Sequence, residues 1–127
     1  MKIKNLDHFV ITVRNLERCL KFYAGVLGME HTFANGRHFL AFGNQRIHIH
    51  TQKGEFQPAA KHPSCGSQDF CLIAAGDMER IKSEIEGRGW PILEGVVDRR
   101  GALGPMRSIY LRDPDGNLVE IASYDVP

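Results

Sequence analysis

Without gaps, Asp7 and the segment Asn15-Leu16-Glu17-Arg18 lie over Asp69 and Asp77-Met78-Glu79-Arg80, an offset of 62 residues (69 − 7 and 77 − 15). Residue identity between the halves is thin, and what repeats is the order of elements. Each half reads as a strand, a capped helix and three more strands. That order restricts the fold more than any other feature. A β-α-β-β-β unit covers one face of its sheet with its helix and leaves the other face open.

In the first half, Leu6 to Val13 alternates as a strand, with Phe9, Ile11 and Val13 on one face and His8, Val10 and Thr12 on the other. Asn15 is a helix cap, and Leu16, Cys19, Leu20, Tyr23 and Leu27 form one helical stripe that Gly28 ends. Tyr23 can bury its ring on that stripe. A strand near Glu30 to Phe33 meets the turn Asn35-Gly36, His38 to Phe42 returns, and Arg46 to Thr51 follows the turn Gly43-Asn44. Residues 52–67, rich in glycine, proline and serine, read as a linker. In the second half, Asp69 to Ala74 is a strand. Asp77 caps a helix with Met78, Ile81 and Ile85 on one stripe, and Gly87 and Gly89 end it. Pro91 to Val97 is a strand, and Asp98 to Pro105 reads as a glycine-rich loop. A hairpin turning at Asp113-Pro114-Asp115-Gly116 closes the chain. The expected fold is α+β: two βαβββ modules, 1–51 and 68–127 with 52–67 between them, forming a curled eight-stranded sheet around a cleft with the helices outside.

A chain of 127 residues can bury a core without disulfides. Its three cysteines show no CxxC spacing, so no disulfide framework or cysteine zinc site is indicated. The formal net charge of +1 gives no electrostatic case for nucleic acid or an anionic membrane. The absence of an apolar leader or spanning run makes a reduced, cytoplasmic protein the expectation.

Strand alternation selects the residues that chemistry could use. If Phe9 and Ile11, Ile47 and Ile49, and Val119 and Ile121 face the helices, then His8, the pair His48 and His50, and Glu120 face the cleft. Histidines with a carboxylate and open positions suit a catalytic divalent metal. Tyr110 shares the parity of Glu120. Taken singly, each has a plainer reading: His8 as a structural residue, His48 and His50 as solvated positions, Glu120 as the partner of Arg107 or Arg112. In the loop, Arg99 beside mobile glycines could close on an anionic substrate group. Phe70, Leu72, Tyr110 and Thr12 could line a site for a flat ligand.

The opening Leu-Asp-His-Phe-Val-Ile-Thr-Val-Arg-Asn-Leu-Glu-Arg-Cys-Leu-Lys-Phe-Tyr and the closing Ser-Ile-Tyr-Leu-Arg-Asp-Pro-Asp-Gly-Asn-Leu-Val-Glu-Ile resemble glyoxalase-fold proteins of the vicinal oxygen chelate superfamily. Residues 45–63 are similar to its single-domain glyoxalase-domain-containing-5 type, which includes bacterial virulence-associated members. The resemblance implies a divalent metal (Zn, Ni, Mn or Fe) held by His8, His50 and Glu120, with His48 as the alternative to His50. Glu120 and His50 would be catalytic, and Tyr110, Phe70, Arg99 and His48 would bind substrate. The usual ligand of the fifth strand is replaced by Phe70, with Asp69 beside it, unless a one-residue bulge turns Asp69 inward. Three activities fit: a glyoxalase-type lyase or isomerase acting on a small oxygen-chelating substrate such as an aldehyde–thiol adduct, an Fe(II) ring-cleaving dioxygenase, or a drug-binding protein without turnover. The resemblance also implies a homodimer whose clefts can be shared between chains.

Overall fold

The computed structural model describes residues 1–125, so Val126 and Pro127, the end of the expected second module, lie outside the described residues. The chain divides into two compact units, Met1–Gly66 and Ser67 onward.

In the first unit β1 (His8–Thr12) leads into α1 (Leu16–Leu20), which continues as a π-helical segment, Lys21–Val26. The Asn15 side chain accepts from the Arg18 amide at 2.9 Å and so caps α1 as its residue type predicts. The π register shows in the Leu27 amide, which donates five residues back to the Phe22 carbonyl at 3.0 Å. α1 buries Cys19, and the π-helical segment buries Phe22, Tyr23 and Val26. The expected stripe is therefore rotated: Phe22 and Val26 take the places that strict α spacing gave Leu20 and Leu27. Gly28, at φ 77°, ends the helix. Strands β2 (Glu30–Ala34), β3 (Arg37–Phe42) and β4 (Gln45–His50) complete a sheet ordered β1-β4-β3-β2, with β1 and β4 parallel. Ile11, Leu40, Ile47 and Ile49 are all but fully buried, and with Phe22 and Tyr23 they supply this unit's core.

The second unit repeats the plan with β5 (Asp69–Ile73), α2 (Met78–Gly87), β6 (Glu94–Gly101), β7 (Gly104–Arg112) and β8 (Leu118–Ser123), in the order β5-β8-β7-β6. The eight strands thus form two four-stranded sheets, not one ladder of eight. Val119, Ile109 and Leu111 are fully buried on one side of the second sheet, and Met78 and Ile85 are the buried residues of α2. The stretch expected as a loop, Asp98 to Pro105, is instead the tip of the β6–β7 hairpin: Asp98 pairs with Arg107, Arg99 with Met106 and Arg100 with Pro105. Its two glycines, Gly101 and Gly104, pair at the end of the ladder, so they close a hairpin and do not mark a mobile segment.

The β7–β8 turn is held from inside. Asp113 and Asn117 are buried, and Asp113 Oδ1 accepts from the amides of Asp115 and Asn117 at 2.9 Å each. Its Oδ2 accepts from Asn117 Nδ2 at 2.7 Å, and Asn117 Oδ1 accepts from the Gln68 amide at 2.8 Å. One carboxylate thereby fixes the turn that leads into β8, and its neighbour ties the entry of β5 to the same point.

Candidate functional site

The residues on one side of the first sheet follow from its register. Val10 pairs with His48, and Phe39 pairs with His48 from the other strand, so His8, His48 and Phe39 share a face. The His8 and His48 rings stack, with centroids 3.9 Å apart and planes 10° from parallel. His8 Nδ1 donates to Asp7 Oδ2 at 2.8 Å, which leaves Nε2 as the ring nitrogen turned to other partners. His48 Nε2 is buried without a hydrogen-bond partner. Burial, with the nearby His8 and Arg46 charges adding to it, lowers the His48 pKa to about 4, so the ring is neutral near pH 7. An unpartnered buried acceptor on a neutral imidazole, stacked on a second imidazole oriented by a carboxylate, suits a metal ion in its donor chemistry. His50 stands two residues along β4, buried, with its ring edge-on to Phe56 at 5.1 Å. It is not the histidine stacked on His8.

On the second sheet Cys71 and Tyr110 both pair with Glu120, so the three side chains share a face. Glu120 Oε2 accepts from Ser108 Oγ at 2.6 Å. Burial, then the Glu120 carboxylate beside it, pushes the Cys71 thiol up to about 11. Arg99 Nε donates to Tyr110 Oη at 3.0 Å, and Arg99 Nη2 reaches Glu94 Oε1 at 3.5 Å. A bulge places Arg99 there. Gly95 pairs with Ile109 but Val97 pairs with Ser108, so the alternation of β6 inverts after Gly95.

Several expectations change. Phe70 pairs with Val119 and Leu72 with Ile121, which puts both on the side opposite Glu120. β1 and β5 have equal length and are offset by 61 residues (69 − 8), whereas the helix caps are offset by 62 (77 − 15). One residue is therefore inserted between β5 and α2. The counterpart of His8 is Asp69 and not Phe70, and Asp69 lies on the Glu120 side with no bulge in β5. The same offset puts Cys71 in the place of Val10, and since Val10 pairs with His48 and Cys71 with Glu120, the ladder puts Glu120 in the place of His48. Arg107 reaches Glu79 and Asp98, and Arg112 donates to the Gly116 carbonyl, so neither is the partner of Glu120. Ser108 and Cys71 were missed, although counting two residues back from Tyr110 finds Ser108. Among the described residues no group of three or more His, Cys, Asp or Glu is close enough to hold a metal ion. No helix among them is long and apolar enough to cross a membrane.

Paired βαβββ modules, each with a polar face built on the junction of its first and last strands, define a class of α+β protein. The chain belongs to the Glyoxalase/Bleomycin resistance protein/Dioxygenase superfamily, whose family model matches residues 5–121. It is 46% identical over 125 residues to virulence protein STM3117 of Salmonella typhimurium, covering 98% of this chain and 87% of that protein. To the glyoxalase domain-containing protein RDO1 of Mycosarcoma maydis it is 41% identical over 125 residues, covering 98% of this chain and 70% of that one. The solved integron cassette protein VCH_CASS1 from the mobile metagenome of V. cholerae superposes with a TM-score of 0.94 at 43% identity, covering 98% of each chain.

Proposed function

We propose that this protein is a metal-dependent enzyme of the glyoxalase type, a lyase or isomerase acting on a small substrate with adjacent oxygens, such as an aldehyde–thiol adduct. The observation that carries the reading is His48: its Nε2 is buried and unpartnered, and its ring is stacked on His8. The proposed ligands are His8, His48 and Glu120, with Asp69 as the further carboxylate at the position equivalent to His8. His48 takes the place expected for His50 because it is the histidine that meets His8 and occupies the position equivalent to Glu120. A divalent ion held by these residues would polarise a substrate carbonyl and stabilise negative charge developing next to it. The side chains do the rest. Asp7 holds the His8 ring in one orientation. Ser108 donates to one oxygen of Glu120 and fixes its orientation, which leaves the second oxygen to take or return a substrate proton. Tyr110, fixed by Arg99, offers a hydroxyl to a substrate oxygen.

Elemental analysis of protein purified without an affinity tag tests this. The wild type should carry close to one equivalent of a divalent transition metal. His48→Ala and the pair His8→Ala/Glu120→Ala should lose it, while His50→Ala keeps most of it. Equal metal content in all four proteins would sink the reading.

A further inference from the structure

The face that carries His8 and His48 also carries two arginines that no carboxylate meets in a salt bridge. Arg37 on β3 has the parity of Phe39, and Arg46 on β4 has the parity of His48. Each lies over an aromatic ring: the Arg37 guanidinium is 4.2 Å from the Phe56 centroid, and that of Arg46 is 4.6 Å from Phe39. Neither makes a salt bridge or a side-chain hydrogen bond among the described residues. Their settings differ. Arg46 has Asp7 nearby, and its charge helps to lower the Asp7 pKa, behind the hydrogen bond from His8. Glu55, whose charge acts on His50 as that of Arg37 does, is occupied by the amide and hydroxyl of Thr51. The Phe56 ring beneath Arg37 also meets the buried His50 edge-on.

We propose that Arg37, braced on Phe56 with His50 beside it, anchors an oxyanion of the substrate, a carboxylate or phosphoryl group. A guanidinium stacked through its face on a ring loses none of its N–H donors. Its rotation is restricted, and its donor edge stays free to grip a planar anion with two bonds. The inference rests on the proposed function, in that the His8–His48 face is taken as the substrate face, and it narrows the substrate class to small acids. Arg37 lies in the row of His50, two residues along the sheet from that of His48, on the order of 7 Å away. That separation suits a short acid whose chelating oxygens lie a few bonds from its anionic group.

The test uses inorganic phosphate and acetate as probes on the metal-free full chain, following the arginine Nε–H and histidine ring signals by NMR. Both anions, or phosphate alone, should move the Arg37 and His50 signals saturably, and the choice between them tells a carboxylate site from a phosphoryl one. Arg37→Met should weaken binding about tenfold or more. Phe56→Leu, which keeps the charge but removes the brace, should weaken it several-fold, and Arg80→Met on exposed α2 should leave it unchanged. Wild-type affinity in both Arg37→Met and Phe56→Leu, or no movement of the Arg37 and His50 signals at the highest soluble anion concentration, would overturn the proposal. Because the titration is done without metal, its failure leaves the metal-content result standing, and the reverse holds too.

Discussion

Replacing Asp113 by alanine removes the carboxylate at the centre of the β7–β8 turn. Three hydrogen bonds disappear: those from the Asp115 and Asn117 amides and that from Asn117 Nδ2. Asp113 is 4% exposed and Asn117 1%, so the two Asn117 donors cannot turn to water. Bonds to a charged acceptor contribute about 1.5–3 kcal/mol each, and the Asp115 amide, only partly buried, recovers some of its loss. Counting the two Asn117 donors alone, the variant should be destabilised by about 3–5 kcal/mol, a fall in Tm of roughly 10–20 °C for a domain of this size. The chain has a single tryptophan, Trp90, whose indole N–H donates to the Arg112 carbonyl at 2.9 Å, one residue before Asp113. Urea unfolding followed by its fluorescence therefore reads this turn directly. Asp113→Asn keeps an acceptor for the two amides but sets an NH2 against Asn117 Nδ2, so it should lose about half as much. A loss below about 1 kcal/mol in the alanine variant, with cooperativity unchanged, would refute the view that a buried carboxylate secures the entry to β8.

Two further outcomes follow from the second sheet. The Cys71 thiol, raised to about 11, holds only about one part in a thousand as thiolate at pH 8. Its alkylation by iodoacetamide should be far slower than that of free cysteine and should climb tenfold per pH unit until pH nears 11. A rate matching free cysteine at pH 8 would contradict the geometry around Glu120. Gly95 has φ 116°, and a Cβ there would sit 2.6 Å from the Ser108 carbonyl oxygen and 3.0 Å from Ile109 Cα, both backbone atoms. Gly95→Ala should therefore cost about 2–4 kcal/mol in urea unfolding, and a wild-type midpoint would show that the strand bends there without strain.

The order of elements in both halves was legible, because strand alternation, helix caps and turn glycines are local signals. So was the facing of His8, His48 and Tyr110 with respect to their own strands. Three features were not. The residue inserted between β5 and α2 is invisible to an ungapped comparison, so Phe70 was read where Asp69 belongs. The Asp98–Pro105 stretch carries loop-like glycines, yet its ladder pairing depends on a partner strand that local composition does not reveal. Which of His48 and His50 stacks on His8 depends on the parallel register of β1 and β4, which no local pattern sets. Beyond these, the stacking of Arg37 on Phe56 and of Arg46 on Phe39 is a property of the folded chain alone.

The bulge between Gly95 and Val97 works on side chains much as a shift of reading frame works on codons. Pairing β6 straight through that point, with Val96 opposite Ser108 and no residue left over, would leave its composition untouched. It would, however, turn Val97 and Arg99 away from Tyr110 and bring Asp98 and Arg100 round in their place, exchanging a guanidinium for a carboxylate and a differently spaced cation. What this sheet presents to a ligand is therefore set by the register at one bend as well as by residue identity. Relatives with the same residue types could diverge in what they recognise by pairing this strand with or without the bulge.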